Sequence, residues 1–226
     1  MLKKSLVLVV SVLLIMSAVA LGAEEIVIGL VTPVTGDVAT FGMSVRNAAL
    51  LWEKQVNSRG GIQGRKVKII VEDDKGVPSE TANAVSKLIN QSKVLMIMGP
   101  VTSKCANAGA PIGQASKVPV LTPTATDQAV TAVGNYVFRA CFIDPFQGQV
   151  MGKFALETLK AKTAAMLYDI GNDYTKGLAE NFKKFFEAGG GKVVVSETYG
   201  VGESDFSAQL TKIKRADPDV LWLPDY

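Results

Sequence analysis

Short apolar runs rich in β-branched residues alternate with helical patterns along almost the whole chain after residue 23. The runs are apolar nearly throughout, which is typical of strands that are buried on both faces of a sheet. Strands of this kind that alternate with helices form a parallel sheet with helices on both sides. The pattern restarts near Phe142–Gln147, where Asp144-Pro145 is a typical helix start. The sequence therefore predicts an α/β protein with two doubly wound lobes, residues 24–142 and residues 143–226.

Hydrophobic periodicity and turn residues give the expected bounds of the individual elements. The predicted strands are Ile26–Val31, Val67–Val71, Val94–Met98, Val118–Leu121, Tyr136–Arg139, Ala164–Tyr168, Val193–Ser196 and Val220–Leu223. The predicted helices are Gly42–Val56, Ser79–Asn90, Ser103–Ser116, Asp127–Val133, Pro145–Lys160, Tyr174–Ala188 and Phe206–Arg215. No helix follows the last strand to cover it, so we expect the second lobe to be incomplete in this chain.

Two neighbouring strand ends carry hydroxyl-rich turns. The strand Val94–Met98 runs into Gly99-Pro100-Val101-Thr102-Ser103, and Val118–Leu121 runs into Thr122-Pro123-Thr124-Ala125-Thr126. A helical stretch follows each turn, and a helix N-terminus offers unpaired N–H groups and the positive end of its dipole to an anion. In a parallel sheet, ligands bind in the crevice at the carboxyl ends of the strands. The sequence therefore predicts that the two turns capture a small molecule with a carboxylate group.

The composition argues against several other classes of function. The chain contains no histidine, which removes the commonest general base and the commonest metal ligand. Gly60-Gly61 and Gly64 follow a helix rather than joining a strand to one, so they predict a turn and no phosphate or dinucleotide loop. The 24 basic and 21 acidic residues nearly balance and are scattered, which predicts no nucleic-acid partner. We therefore expect no enzyme activity, no cofactor and no metal.

Two smaller features leave alternatives open. Cys105 and Cys141 are either separate buried thiols, which we favour, or a pair that forms a disulfide in an oxidising compartment. Asp73 and Asp74 form an acidic pair at the end of a predicted strand. Because a metal ion needs more oxygen ligands than this stretch supplies, we interpret the pair as a solvated loop.

The first 23 residues differ from the rest of the chain. Lys3 and Lys4 precede an apolar run from Leu6 to Met16, and the small residues Ala18-Val19-Ala20 and Gly22-Ala23 follow. A basic start, a short apolar core and a small-residue exit are typical of a secretory signal peptide. The alternative is a membrane anchor, for which the apolar run is short. We predict that residues 1–23 are a signal peptide that is cleaved after export.

At this point the chain resembles a known family, the class I periplasmic binding proteins of the leucine/isoleucine/valine receptor type. The likeness runs in order through the whole chain after the leader, and no single motif carries it alone. The matching stretches are Ile28-Gly29-Leu30, Pro33-Val34-Thr35-Gly36, Asn57–Arg65, Asp73-Asp74, Gly99–Ser103, Val137-Phe138-Arg139, Asp144–Gly148, Asp205-Phe206 and Asp217–Val220.

The resemblance implies how such a protein works. It implies two α/β lobes joined by a hinge, with a ligand cleft between them that closes on the ligand. It also implies a monomeric receptor in the periplasm that delivers a small solute to the permease of an ATP-driven (ABC) importer. Members of the family are longer than this chain, so we expect residues 24–226 alone to bind ligand weakly or not at all.

The resemblance implies a role for four residues in the two turns. Ser103 meets the ligand carboxylate through its hydroxyl and its backbone N–H, or else it only caps the helix. Thr124, Ala125 and Thr126 match the family's second contact with an amino acid. There the Thr124 carbonyl accepts from an ammonium group, while Thr126 offers a hydroxyl and an N–H. The alternative is an ordinary turn before a short helix.

Three aromatic residues complete the predicted site. Phe41 stands where the family places an aromatic wall, and the alternative is a core residue that opens the next helix. Tyr174 and Tyr226 match two tyrosines of the second lobe that face the cleft, although the family usually has Gly where this chain has Thr175.

The ligand that the resemblance implies is a branched-chain or similar amino acid. The alternatives are a sensor of the same fold that signals to a regulatory partner, and a receptor for another small carboxylate or amide. In the amino-acid receptors, an acidic residue further along the chain holds the ammonium group. No residue of this sequence takes that role by resemblance, so the sequence supports carboxylate capture and leaves amino-group recognition open.

Overall fold

The computed structural model describes residues 24–226, and the predicted signal peptide at residues 1–23 lies outside the described residues. Strands and helices alternate along the described part of the chain. The strands are β1 (Ile26–Thr32), β2 (Val67–Asp73), β3 (Met96–Met98), β4 (Val120–Thr122), β5 (Val137–Arg139), β6 (Thr163–Asp169), β7 (Lys192–Tyr199) and β8 (Val220–Trp222). The helices are α1 (Ala39–Ser58), α2 (Pro78–Asn90), α3 (Ser103–Ser116), α4 (Ala129–Ala132), α5 (Asp144–Lys153), α6 (Asp173–Ala188) and α7 (Ser207–Ala216).

The strands form two parallel sheets, which confirms the predicted α/β class. The first sheet has five strands in the order β2-β1-β3-β4-β5, and the second has three in the order β7-β6-β8. In each sheet the chain passes from one strand, β1 or β6, to a neighbour on one side and then crosses over to pair on the other side of that same strand. Ligands bind at such switch points in doubly wound sheets. Both switch points lie at the carboxyl ends of strands. The segments that follow these strands carry Phe41, Ser103, Tyr174 and Tyr226.

Both faces of the first sheet are covered by helices, as the apolar strands predict. Ile28 and Leu30 of β1 pack on the side of α1, whereas Val31 packs on the side of α2. The second sheet is built in the same way, with α6 on one face and α7 on the other. Phe182 of α6 is 1% exposed and stacks on Phe186 and Trp222, with ring centroids 5.3 and 5.2 Å apart. Each sheet therefore has its own core.

Two glycines let the backbone approach closely enough to shape the first switch point. A Cβ on Gly42 would lie 1.8 Å from the Pro33 carbonyl oxygen, so a larger residue would push α1 away from the end of β1. Gly99 has φ +94°, and a Cβ there would lie 2.0 Å from the Val31 carbonyl oxygen. Gly at these positions brings the start of α1, with Phe41, and the start of α3 to the same edge of the sheet.

The helix predicted over Pro145–Lys160 differs from the one observed. It is α-helical over Asp144–Lys153 and continues as a π-helix over Phe154–Thr158, where the Leu159 N–H donates to the Phe154 carbonyl at 3.1 Å. Asp144 is also not the N-cap. Ile143 takes that position with extended backbone, and Asp144 is the first helical residue with a buried side chain.

The solvated-loop interpretation of Asp73 and Asp74 is wrong for Asp74. Asp74 is 0% exposed, and it accepts hydrogen bonds from the Thr81 hydroxyl at 2.9 Å and from the Gly76 N–H at 3.1 Å. Asp73 accepts from the Val34 N–H and the Thr35 hydroxyl, at 2.9 and 2.6 Å. Both carboxylates therefore organise the turns at the edge of the first sheet.

Two further observations bear on the predictions. The predicted lobe boundary at residues 142/143 falls between β5 and α5, and so between the last strand of the first sheet and the first strand of the second. The boundary itself stays a prediction. Among the helices of residues 24–226, none combines the length and apolar character that crossing a membrane requires.

Candidate functional site

A cavity of about 280 Å³ lies between the carboxyl ends of the two sheets. It receives side chains from the ends of β1, β3 and β4, from the segment that enters α5, and from the second sheet. Its lining residues are Phe41, Val101, Thr102, Ser103, Thr124, Thr126, Cys141, Phe142, Gln147, Tyr174 and Tyr226. The structure therefore brings six of the seven predicted site residues to one place.

The N-terminus of α3 opens on this cavity. Thr102 is its N-cap, with extended backbone at φ −94° and ψ 153°, and its own side chain makes no cap hydrogen bond. Ser103 is the first helical residue and is 1% exposed. It is therefore not the N-cap, which was the alternative interpretation of this residue. The Thr102 hydroxyl is buried and has no partner within residues 24–226. An anion in the cavity therefore meets backbone N–H groups and the positive end of a helix dipole.

Hydrogen bonds fasten the two hydroxyl-rich turns to each other. The Thr122 and Thr124 hydroxyls donate to the carbonyls of Pro100 and Val101, at 2.7 and 2.6 Å. The Asp127 N–H donates to the Ser103 hydroxyl oxygen at 3.3 Å. The predicted convergence of the β3 and β4 turns is thus present in the structure. Because the two turns converge, the Ser103 N–H and the Thr126 side chain lie at the same cavity.

Ala125 is the predicted site residue that does not line the cavity. It is 1% exposed and packs among Ala106, Val130 and Val137. Its N–H donates to the Thr122 hydroxyl at 3.1 Å, and its carbonyl accepts from Arg139 Nη1 at 2.9 Å. Because its backbone groups are already paired and its methyl group lies in the core, the structure does not support the predicted ligand contact of Ala125.

The three predicted aromatic residues form one wall of the cavity. The Tyr226 ring stacks on Tyr174 with centroids 4.9 Å apart, and it meets the Phe41 ring edge-on at 6.0 Å. Phe41 is 49% exposed, so it is not the buried core residue of the alternative interpretation. Burial raises the pKa of both tyrosines, so their hydroxyls stay protonated at neutral pH and remain able to donate.

Sequence reasoning missed the cavity residues that come from the segment between the sheets. Cys141, Phe142 and Gln147 lie there, next to the point where the strand and helix pattern restarts. That restart was the available signal, because a segment that passes between two lobes forms the floor of the cleft. Cys141 and Cys105 are free thiols, and burial raises the pKa of each, so neither is an activated nucleophile.

Asp144 lies directly behind the cavity wall. Its side chain is 2% exposed, and its N–H donates to the Thr126 carbonyl at 3.0 Å. Neither carboxylate oxygen has a hydrogen-bond partner within residues 24–226, and the same is true of the Thr126 hydroxyl. Burial raises the pKa of Asp144 to about 6; the nearby Thr126 hydroxyl and Arg139 act in the opposite direction, and the neighbouring Asp127 carboxylate adds to the rise. The residues in the structure thus leave a buried acidic group next to Thr126.

One hydrogen bond crosses the cleft near the cavity. Asn107 on α3 donates through Nδ2 to Asp127 Oδ2 at 2.7 Å and to Asp173 Oδ2 at 3.0 Å. Asp173 begins α6 on the second sheet and also pairs with Lys176 at 3.1 Å. Asn107 therefore ties the helix that carries Ser103 to the helix that carries Tyr174.

Comparisons with known proteins agree on one family. The family model described as periplasmic binding protein matches residues 25–225. The Leu/Ile/Val-binding protein BraC3 of Rhizobium johnstonii is 37% identical over 207 residues, which cover 91% of this chain and 56% of that protein.

Two solved structures give the same picture. The branched-chain amino acid transporter substrate binding protein LivJ of Streptococcus pneumoniae, in complex with isoleucine, has a TM-score of 0.83 and 33% identity, covering 89% of this chain and 57% of its own. A solute binding protein of an ABC transporter from Rhodopseudomonas palustris, in complex with 3,4-dihydroxybenzoic acid, has a TM-score of 0.79 and 28% identity, covering 90% and 55%.

The chain spans about half the length of the curated relatives it matches. The family model nevertheless covers nearly every described residue, and the matched region includes both sheets and all of the cavity lining except Tyr226. The resemblance seen in the sequence is thereby confirmed, and the chain belongs to the periplasmic binding protein family.

Proposed function

We propose that this protein is an extracytoplasmic receptor that holds a small amino acid between its two lobes and delivers it to an ABC importer. The observation that carries the proposal is the N-terminus of α3, which opens on the cavity with Thr102 and Ser103 and has no cap hydrogen bond from the Thr102 side chain. The lobes of this proposal are residues 24–142 and 143–226, and residues 1–23 direct export. The binding of isoleucine by LivJ supports the choice of ligand class.

The cavity suits the two ends of an aliphatic amino acid. The carboxylate lies at the start of α3, where the Ser103 N–H, the Ser103 hydroxyl and the free Thr102 hydroxyl surround it. The side chain lies against apolar surface from Phe41, Val101 and Phe142. Burial of a branched aliphatic side chain there contributes roughly 1.5–3 kcal/mol.

A calorimetric titration of the full-length mature protein tests the proposal. The panel contains leucine, isoleucine, valine, alanine, glutamate and benzoate. We expect micromolar or tighter binding of the aliphatic amino acids, with glutamate much weaker because a second carboxylate finds no cation among the lining residues. A flat response to every amino acid would refute the ligand class. Binding of benzoate alone would favour a receptor for aromatic carboxylates instead.

The cross-cleft bond of Asn107 gives a separate prediction. Replacing Asn107 with Ala removes one hydrogen bond between the lobes, so the closed form is less stable and leucine affinity falls about fivefold. Calorimetry on the variant measures the change. Asn90→Ala is the control, because Asn90 is an exposed residue at the far end of α2. Equal affinities of the Asn107 variant and the wild type would show that this bond does not hold the closed form.

A further inference from the structure

Arg139, the last residue of β5, binds one loop through its side chain. Its Nη1 donates to the Ala125 carbonyl at 2.9 Å. Its Nη2 donates to the Thr131 hydroxyl at 2.8 Å and to the Gln128 carbonyl at 3.4 Å. All three acceptors lie within residues 125–131, which run from the β4 turn into α4. Because the donors of a guanidinium are fixed in one plane, these contacts hold the loop in one orientation relative to β5.

The contact with the Ala125 carbonyl sets the direction of the next backbone donor. In a planar trans peptide the carbonyl and the N–H point in opposite directions. The Ala125 carbonyl points to the guanidinium of Arg139, which is not among the residues that line the cavity. The N–H of Thr126 belongs to the same peptide unit, so it points away from Arg139.

This N–H belongs to a residue of the cavity. Thr126 lines the cavity and is 5% exposed. Its carbonyl accepts from the Asp144 N–H at 3.0 Å, whereas its own N–H donates to no residue within 24–226. Ser103, at the start of α3, lines the same cavity. A carboxylate has two oxygen atoms that both accept, so it matches one donor from each of the two turns.

Two further observations concern the surroundings of this peptide. The Cys141 thiol approaches the Ala125 carbonyl at 3.5 Å and adds a weak second donor to it. Burial raises the pKa of that thiol, and the positive charge of Arg139 opposes the rise. Since Cys141 lines the cavity, the charge of Arg139 acts on the cavity wall, where it favours an anion.

We propose that Arg139 is a positioning residue for ligand capture, which holds the Ala125 carbonyl and thereby aims the Thr126 N–H at the carboxylate of the ligand. The inference rests on the proposed function and extends it to a residue that does not itself line the cavity. Lysine at this position keeps the positive charge, but its ammonium group lacks the planar fork that binds several acceptors at once. Substitution by lysine therefore separates the orientation of the peptide from the charge.

The test follows leucine binding and amide resonances in the full-length mature protein. Calorimetry on Arg139→Lys should show leucine affinity about tenfold below the wild type. In isotope-labelled wild type, saturating leucine should move the Thr126 amide proton downfield, because an N–H that donates to a carboxylate is deshielded. In saturated Arg139→Lys this shift should be largely lost, while the Ser103 amide proton shifts as in the wild type. Arg59→Lys is the control, because Arg59 is exposed at the C-terminal end of α1.

A second variant leaves Arg139 in place. Thr131→Val removes one acceptor of the guanidinium and keeps the shape of the side chain, so we expect about a threefold loss in leucine affinity. The Thr126 amide shift should decrease selectively here as well. Should Arg139→Lys fail to fold, an unchanged Thr126 shift in Thr131→Val overturns the inference.

The outcomes separate this inference from the proposed function. If folded Arg139→Lys binds leucine within about twofold of the wild type, or keeps the Thr126 shift, Arg139 does not position the donor, although the amino-acid receptor stands. If the Ser103 and Thr126 shifts disappear together, Arg139 only supports the first lobe, and the inference is overturned. If the wild type binds no amino acid of the panel, the proposed function fails and the inference fails with it.

Discussion

Replacing Asp144 with Asn is expected to remove a destabilisation of about 3 kcal/mol that the charged wild-type side chain causes at neutral pH. The wild-type side chain is 2% exposed and has no hydrogen-bond partner within the described residues, so its charged form is poorly solvated in the folded state. Asn has nearly the same shape and carries no charge. Removal of a buried, unpaired charge outweighs the loss of any contact that the carboxylate makes.

The sign of this effect depends on pH. Burial raises the pKa of Asp144 from 3.8 in the unfolded chain to about 6 in the folded protein. Below the unfolded value both states are protonated, and the wild type loses nothing. As pH rises through the interval, the folded state must give up a proton that it holds more tightly than the unfolded state does. The wild type therefore loses stability between about pH 4 and about pH 6, and the loss is complete above the folded pKa.

Urea unfolding of both proteins at about pH 4 and about pH 8 measures the effect. The difference in free energy of unfolding between Asp144→Asn and the wild type should grow by about 3 kcal/mol over this range. This comparison cancels the packing cost of the new amide, which is the same at both pH values. Asp37→Asn is the control, because Asp37 is exposed. A constant difference would show that Asp144 is solvated or paired in the folded protein.

The second large effect is expected at Ser103. Replacing Ser103 with Ala removes the hydroxyl that lies at the start of α3 and accepts from the Asp127 N–H at 3.3 Å. A hydrogen bond to a charged carboxylate is worth roughly 1.5–3 kcal/mol, so leucine affinity should fall roughly ten- to a hundredfold. The Ser103 N–H remains, and binding is therefore weakened rather than abolished.

Calorimetry with leucine on the full-length protein measures the loss. Ser116→Ala is the matched control, because it removes an exposed serine hydroxyl from the opposite end of the same helix. Urea unfolding of both variants shows whether the loss of the Asp127 contact has changed the fold. If Ser103→Ala binds leucine within about twofold of the wild type while it stays folded, Ser103 does not contact the carboxylate.

Much of the fold was predictable because its signals are local. The helix Ser103–Ser116 has the bounds that its pattern predicts, since a turn precedes it and its apolar positions repeat at helical spacing. The strands are confirmed in order and type, with ends that differ by one to a few residues. The bend of Phe154–Thr158 into a π-helix was not predictable, because that stretch has the same helical pattern as the residues before it.

The candidate site likewise has a part that was predictable from the sequence and a part that was not. The turns of Ser103 and Thr126 were predictable from chain-local features, namely hydroxyl residues that follow apolar strands. Ala125 stands between two cavity residues, yet its backbone is paired to Thr122 and Arg139, and no local pattern shows this. Asp144 is a typical helix-start residue in the sequence, and only its contact with Gly177 of α6 reveals that it is buried.

The sequence by itself determined the α/β class, the family and the edge of the first sheet at which we propose that a carboxylate is captured. These depend on periodicity and turn chemistry, which act over a few residues. The tertiary structure decided which polar atoms are left without partners, where Asp74 and Ala125 are buried, and how Asn107 joins the lobes. Burial and pairing depend on segments far apart in the chain. The buried acid next to Thr126 therefore appears only once both sheets are in place.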